Sequence, residues 1–212
     1  MIDYFDPYTI RGEVQTCTKG KCFGVIFTCM NMRAVYIDIA SDYSTEGFLL
    51  ILRRFAVTRG WPTKFFSDKG SQLTGASNEL NAVIDGFDWD LIEEESRTRS
   101  QGTVWNFSPA NAPWYNGAVE ALVKTTKKAL NLSVGESILS FTELQTCMFD
   151  AAELVNERPI GNHPSDPSDA VYLCPNDLLL GRASSSIPQG PFQERTSRKY
   201  RFDFTQQIVS AF

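Results

Sequence analysis

Apolar and polar positions divide the chain into segments of two periods. From Cys22 to Cys29 and from Ala34 to Ile39, β-branched and aromatic residues dominate two runs joined at Met30-Asn31-Met32, which predicts an antiparallel hairpin. Ile2 to Phe5 is a shorter β-prone run that Pro7 limits. Phe48, Leu49, Leu52, Phe55 and Ala56 then recur at helical spacing, between Ser44 or Thr45 as N-cap and the stop at Gly60 and Pro62. Thr63 to Ser67 is a short buried strand, so hairpin, helix and strand predict a crossover into parallel pairing. Thr74 or Ser77 can cap a second helix carrying Leu80, Val83 and Ile84.

Residues 86 to 102, acidic and then rich in Ser, Thr and Arg, predict a solvated helix or loop insertion, and Val104, Trp105 and Phe107 a further strand. Pro113 and Asn116-Gly117 keep 110 to 116 as loop. A long helix follows from Gly117 to about Leu132, with Val119, Leu122 and Ala129 or Leu130 toward the core. Glu120, Lys124, Lys127 and Lys128 share another face of it. Thr142 with Gln145 reads as a capping box for a helix with Leu144, Met148, Ala151, Ala152 and Val155 as its apolar face, ending before Pro159. The Pro/Ser/Asp-rich stretch 161 to 175 is expected to be extended, and Leu178 to Leu180 to close the domain. The expectation is one domain over 1–182, a linker over 183–197, and 198–212 as the basic opening of a further domain in a larger polyprotein.

Composition narrows the classes. With 212 residues, 42% of them hydrophobic, the chain can bury one substantial core. It has no apolar run of membrane-spanning length and no signal-peptide pattern at its start, so a soluble, intracellular protein is expected. Five cysteines without a Cys-x2-Cys pair, and a single histidine, His163 before Pro164, argue against structural zinc and against a Cys-His nucleophile; reduced, partly buried thiols are expected. The net charge of −5 counts against a passive nucleic-acid binder, but the charges are segregated. Residues 79 to 95 hold seven acidic side chains and no Lys or Arg, whereas the tail after Gly181 is basic.

Asp68 stands at the end of the run Phe65-Phe66-Ser67, where open α/β sheets place their sites. Asp3 on the first strand and Glu120 in the first turn of the long helix are its candidate partners. Carboxylates are the hard oxygen ligands that Mg2+ or Mn2+ takes, and two such ions about 3.5 to 4 Å apart can activate a nucleophile and stabilise the leaving oxygen of a phosphodiester. The same residues also have plain readings: Asp68 as a turn residue before Gly70, Glu120 as an exposed first-turn acid favoured by the helix dipole, and the lysines as a solvated face.

Ten ordered motifs add to this. Asp3-Tyr4-Phe5, Phe27-Thr28-Cys29 with Arg33-Ala34-Val35, Leu52-Arg53-Arg54-Phe55, Arg59-Gly60-Trp61-Pro62 and Ser67-Asp68-Lys69-Gly70 come first. Phe107-Ser108-Pro109 with Ala112-Pro113, Gly117-Ala118-Val119-Glu120, Leu144-Gln145-Thr146, Asn156-Glu157-Arg158-Pro159 and Pro175-Asn176-Asp177-Leu178-Leu179-Leu180-Gly181-Arg182 follow. Over residues 2 to 182 the series resembles the integrase core of retrotransposons, the BEL/Pao group in particular. The resemblance implies an α/β RNase H-like fold with a mixed five-stranded sheet flanked by helices. It implies a D,D,E triad of Asp3, Asp68 and Glu120 holding two Mg2+ or Mn2+ ions, the aspartates sharing one and Asp3 with Glu120 holding the other. The reaction it implies is endonucleolytic 3′-end processing by water, then attack of the 3′-hydroxyl on target double-stranded DNA, by at least a dimer, in the nucleus or a cytoplasmic pre-integration particle. Lys124, Lys127 and Lys128, with Lys69, Gln72 and Asn116, are the candidate DNA contacts. Lys69, the loop Trp114-Tyr115-Asn116-Gly117, Ala118 and Ala121 depart from the family pattern. Two other readings stay open: an RNase H-like nuclease, and a degenerate or domesticated copy that binds DNA or protein without catalysis.

Overall fold

The computed structural model describes residues 1–12, 19–42, 44–67, 88–100, 104–108, 117–134, 137–160 and 172–182. Strands β1 (Ile2–Arg11), β2 (Lys19–Thr28) and β3 (Val35–Ala40) form an antiparallel sheet in the order β1-β2-β3. The predicted hairpin is β2 and β3, with Phe27 opposite Tyr36 and Phe23 opposite Ala40. β1 runs well past its expected end: it passes Pro7 through a register shift between Phe5 and Pro7. A bulge absorbs a residue that cannot donate to the ladder, so the proline bends the strand without stopping it.

Both faces of this sheet are buried. Along β2, Phe23, Val25 and Phe27 join one apolar cluster and Cys22 and Ile26 the other. Strands covered on both sides read as continuous apolar runs, as this hairpin does. Helix α1 (Thr45–Arg59) supplies Phe48, Ile51 and Leu52 to the first cluster, which also receives Phe65 of β4 (Lys64–Ser67) and Ile92 of α2 (Trp89–Ser100). The second cluster is closed by α3 (Gly117–Val134), through Val119, Leu122, Val123 and Leu130, and by α4 (Phe141–Asn156), through Leu144, Cys147, Met148, Ala151 and Val155. The result is helices on both sides of a sheet. At the register pair Phe5 and Gly24, the Phe5 ring lies over the glycine, where a Cβ would stand 2.4 Å from a ring carbon. A side chain there would displace Phe5, which is 1% exposed.

β4 pairs in parallel with β5 (Val104–Phe107), as a crossover requires, and β1 lies in contact with β4. Among the described residues the strands nonetheless make two sheets, of three and two strands; the expected five-stranded sheet is not joined by hydrogen bonds between β1 and β4 there. Within the 86–102 stretch, Trp89–Ser100 is a helix, and Ile92 is 1% exposed, so α2 gives a core contact and is not simply a solvated insertion. The expected capping box at Thr142 and Gln145 is displaced by two residues. Ser140 is the N-cap, its side chain accepting from Glu143 N while the Glu143 carboxylate accepts from Ser140 N at 2.8 Å. Arg11 secures this cap to β1: its Nη2 donates to both Glu143 oxygens at 2.8 and 2.9 Å and its backbone N–H to Leu139 O. A short helix α5 (Pro175–Leu180) ends at Gly181, which takes the left-handed conformation at φ 71°.

Two polar nodes bind the layers at β3. The Asp38 carboxylate, wholly buried, accepts from Ile39 N, Tyr36 OH, Arg54 Nε at 2.7 Å and Gln145 Nε2 at 2.8 Å, which ties α1 and α4 to the strand. At the start of β3 the Asn156 side chain accepts from Val35 N at 2.8 Å and donates to Val35 O at 2.9 Å, standing in for a neighbouring strand. Arg158 donates to Val155 O and to the carbonyl of Arg33, a residue at φ 57°. The motif residues Arg54, Gln145, Asn156 and Arg158 thus act as fastenings of the fold.

Candidate metal and nucleic-acid site

Asp3 sits near the start of β1, opposite Ile26, half-buried, with Oδ1 accepting from Tyr4 N at 2.8 Å. Its neighbours Ile2 and Tyr4 pack into the α1 cluster, whereas Met1 and Phe5 pack toward α3 and α4. Alternation puts Asp3 on the α3/α4 face of the sheet. Glu120 is exposed in the first turn of α3, next to Val119, which is fully buried in the cluster on that same face. Asp3 and the amino end of α3 therefore belong to one side of the molecule.

Asp68 lies outside the described residues, as do Lys69, Gln72, Asn116 and His163. The segment ahead of Asp68 is described: Ser67 is buried opposite Phe107, and Ser108 N donates to Ser67 O at 2.9 Å. β4 and β5 thus end side by side, and from this edge the chain runs on to Asp68 in one case and toward α3 and Glu120 in the other. Among the described residues no group of three His, Cys, Asp or Glu side chains is arranged to hold a metal ion. The two described carboxylates are hard oxygen donors of the kind Mg2+ or Mn2+ accepts. Along α3, Lys124, Lys127 and Lys128 follow Glu120 at i+4, i+7 and i+8, with Lys124 and Lys128 exposed and Lys127 half-buried. Thr126, also buried, lies on the core side together with Val123.

The buried thiols are inert by environment: burial pushes Cys22 and Cys147 up to about 12, consistent with reduced structural cysteines. No motif singles out Asp150 on α4, whose Oδ2 is buried without a hydrogen-bond partner among the described residues. Burial first, and then the charge of Glu153, raise its carboxyl from 3.8 to about 6. Because the folded pKa exceeds the unfolded one, the fold binds this proton more tightly. Asp150 is thus expected to make stability fall as pH rises from about 4 to 6, and to carry a net cost at neutral pH. Asp150→Asn should stabilise the chain at pH 7.5 by about 1 kcal/mol, a figure reduced for its partial exposure, and should flatten that slope. Urea midpoints of both proteins at pH 4.5 and 7.5 measure this, and equal slopes would remove Asp150 as the cause.

No family model matches the chain, and no curated protein matches it. Among solved structures, it is similar to a chain of the cryo-EM structure of a simian T-cell lymphotropic virus intasome in complex with PP2A regulatory subunit B56 gamma. The two are 12% identical, with a TM-score of 0.50, over 91% of this chain and 58% of that one. This chain therefore spans less than two thirds of the length of its structural neighbour, and the likeness is one of fold. A mixed α/β architecture, with an antiparallel sheet between helices, is compatible with an integrase-like fold.

Proposed function

We propose that the chain is the catalytic core of a retrotransposon-type integrase, of the BEL/Pao kind and on an RNase H-like fold. It is a polynucleotidyl transferase that trims 3′ ends of element DNA with water and joins the resulting 3′-hydroxyl to a target phosphodiester. The observation that carries this reading is the shared face of Asp3 and the amino end of α3, in a fold similar to a chain of a viral intasome. Asp3, Asp68 and Glu120 would hold two Mg2+ or Mn2+ ions, which when bound polarise the phosphate and lower the pKa of an attacking water or hydroxyl.

The chain's own residues supply placement. Val119, Leu122, Val123 and Leu130 lock α3 to the core, so Glu120 projects from a rigid element, as an accurately positioned ligand requires. Lys124 and Lys128, exposed along the same helix, receive the phosphates flanking the scissile bond and fix the duplex without reading its sequence. Lys69, Gln72 and Asn116 are the further DNA contacts of this proposal, and a dimer its working unit in the nucleus or a cytoplasmic pre-integration particle. A branched oligonucleotide that reports strand transfer, incubated with the chain with and without Mn2+, is expected to yield metal-dependent product. A folded sample that binds Mn2+ and stays inactive would sink the proposal, and cleavage of RNA in RNA:DNA hybrids without strand transfer would replace it with a nuclease.

A further inference from the structure

A pocket of about 370 Å3 opens between the β2–β3 turn, the carboxyl end of α1 and the start of β4. Its volume is within the range of sites that take one small ligand. The lining is strongly aromatic: Phe27 and Phe55 stack at 4.3 Å, Tyr36 meets Phe55 edge-on at 5.5 Å, and half-buried Trp61 meets Phe65 edge-on at 6.3 Å. Among the described residues, Arg59 and Lys64, both exposed, are the charged side chains that line it, and no acidic side chain does, in a chain of net charge −5. Thr28 also lines it; that residue is 3% exposed, and its hydroxyl has no hydrogen-bond partner among the described residues.

Planar apolar walls and two cations suit a ligand with a flat ring and a nearby negative charge. A nucleotide has both. The aromatic lining lies on the α1 face of the sheet and Asp3 on the other, but Met1, which lines the pocket, stands only two residues before Asp3, about 7 Å at the rise of a strand, so a DNA end passing round the start of β1 would span the two. We propose that the pocket takes one unpaired base of the DNA substrate, stacked on its aromatic residues, with the adjoining phosphate on Arg59 and Lys64. This rests on the strand-transfer reading and extends it to DNA with a single-stranded end. Purines should be preferred for their larger stacking area.

The test compares binding of the whole chain, in EDTA, to a blunt duplex and to the same duplex with a three-nucleotide overhang carrying fluorescent 2-aminopurine. The overhang should bind about tenfold more tightly, the effect of one stacked base, and its emission should be quenched. Trp61→Ala should remove both effects and Trp61→Phe should restore most of each. The double change Arg59→Ala, Lys64→Ala, at exposed positions that do not endanger folding, should lower overhang affinity about fivefold and make it less sensitive to salt. Equal binding of the two duplexes, or unchanged quenching in Trp61→Ala, overturns the inference, as does displacement of the overhang by uncharged 2-naphthylmethanol at concentrations where deoxyadenosine monophosphate has no effect. No overhang preference in the unaltered chain, with its strand transfer intact, rejects the pocket alone; an unaltered chain that neither binds nor transfers DNA rejects the reading beneath it as well.

Discussion

Strand transfer by Asp3→Asn or Glu120→Gln should be slower by about a thousandfold, roughly 4 kcal/mol of barrier, since each change removes one charged oxygen ligand from the proposed two-ion site. The loss should be chemical, with the fold unaffected. Asparagine keeps an oxygen that can accept the Tyr4 N–H, the bond that now orients Asp3. Glu120 is exposed, and surface changes of this kind alter stability by no more than about 0.5 kcal/mol. Single-turnover rates on the branched substrate in Mn2+, beside thermal unfolding of each variant, separate the two effects. Wild-type rates in both variants would take the carboxylates out of the chemistry, whereas a large fall in melting temperature would assign them to the fold.

The largest effect on stability is expected at Asn156. Asn156→Ala leaves the N–H and C=O of Val35 without their side-chain partner at a site where Val35 is 1% exposed. An unsatisfied buried polar group costs about 1–3 kcal/mol, so the pair should cost about 2–5 kcal/mol. That is a large share of the stability of a domain this size. Asn156→Asp tests the geometry: it keeps an acceptor for Val35 N but sets a carboxylate oxygen against Val35 O, and should be nearly as destabilising. Urea unfolding of the three proteins gives the comparison, and a shift under 1 kcal/mol in Asn156→Ala would mean that water replaces the amide.

Local pattern was enough to read much of the architecture. The hairpin, α1 with its Ser44 cap and Gly60 stop, and the apolar faces of α3 and α4 are visible because burial repeats at the period of each element. What escaped the sequence depends on contacts between distant segments. Ser140-Phe141-Thr142-Glu143 is itself a local capping-box pattern that competes with Thr142-Gln145, and the clamp of Arg11 on Glu143 is the part that only the fold reveals. β1 survives Pro7 because β2 still pairs with it on both sides of the bulge. Asp38 reads as one more acid in a strand, and only the convergence of Arg54 and Gln145 makes it a buried node. Of the proposed triad, the positions of Asp3 and Glu120 follow from strand alternation and a helix start, while their relation to Asp68 rests on sequence alone.

The amide that finishes the β3 edge arrives late in synthesis. Val35 and Asn156 are 121 positions apart, so at about 5–20 residues per second the ribosome needs roughly 6 to 25 s to supply the partner. During that interval the hairpin can form, yet its outer edge offers unpaired backbone groups to any neighbouring nascent chain. The same bond that secures the finished fold therefore creates a period of exposure. A fragment that stops short of Asn156 would never leave it, and such products should collect as aggregates or on chaperones.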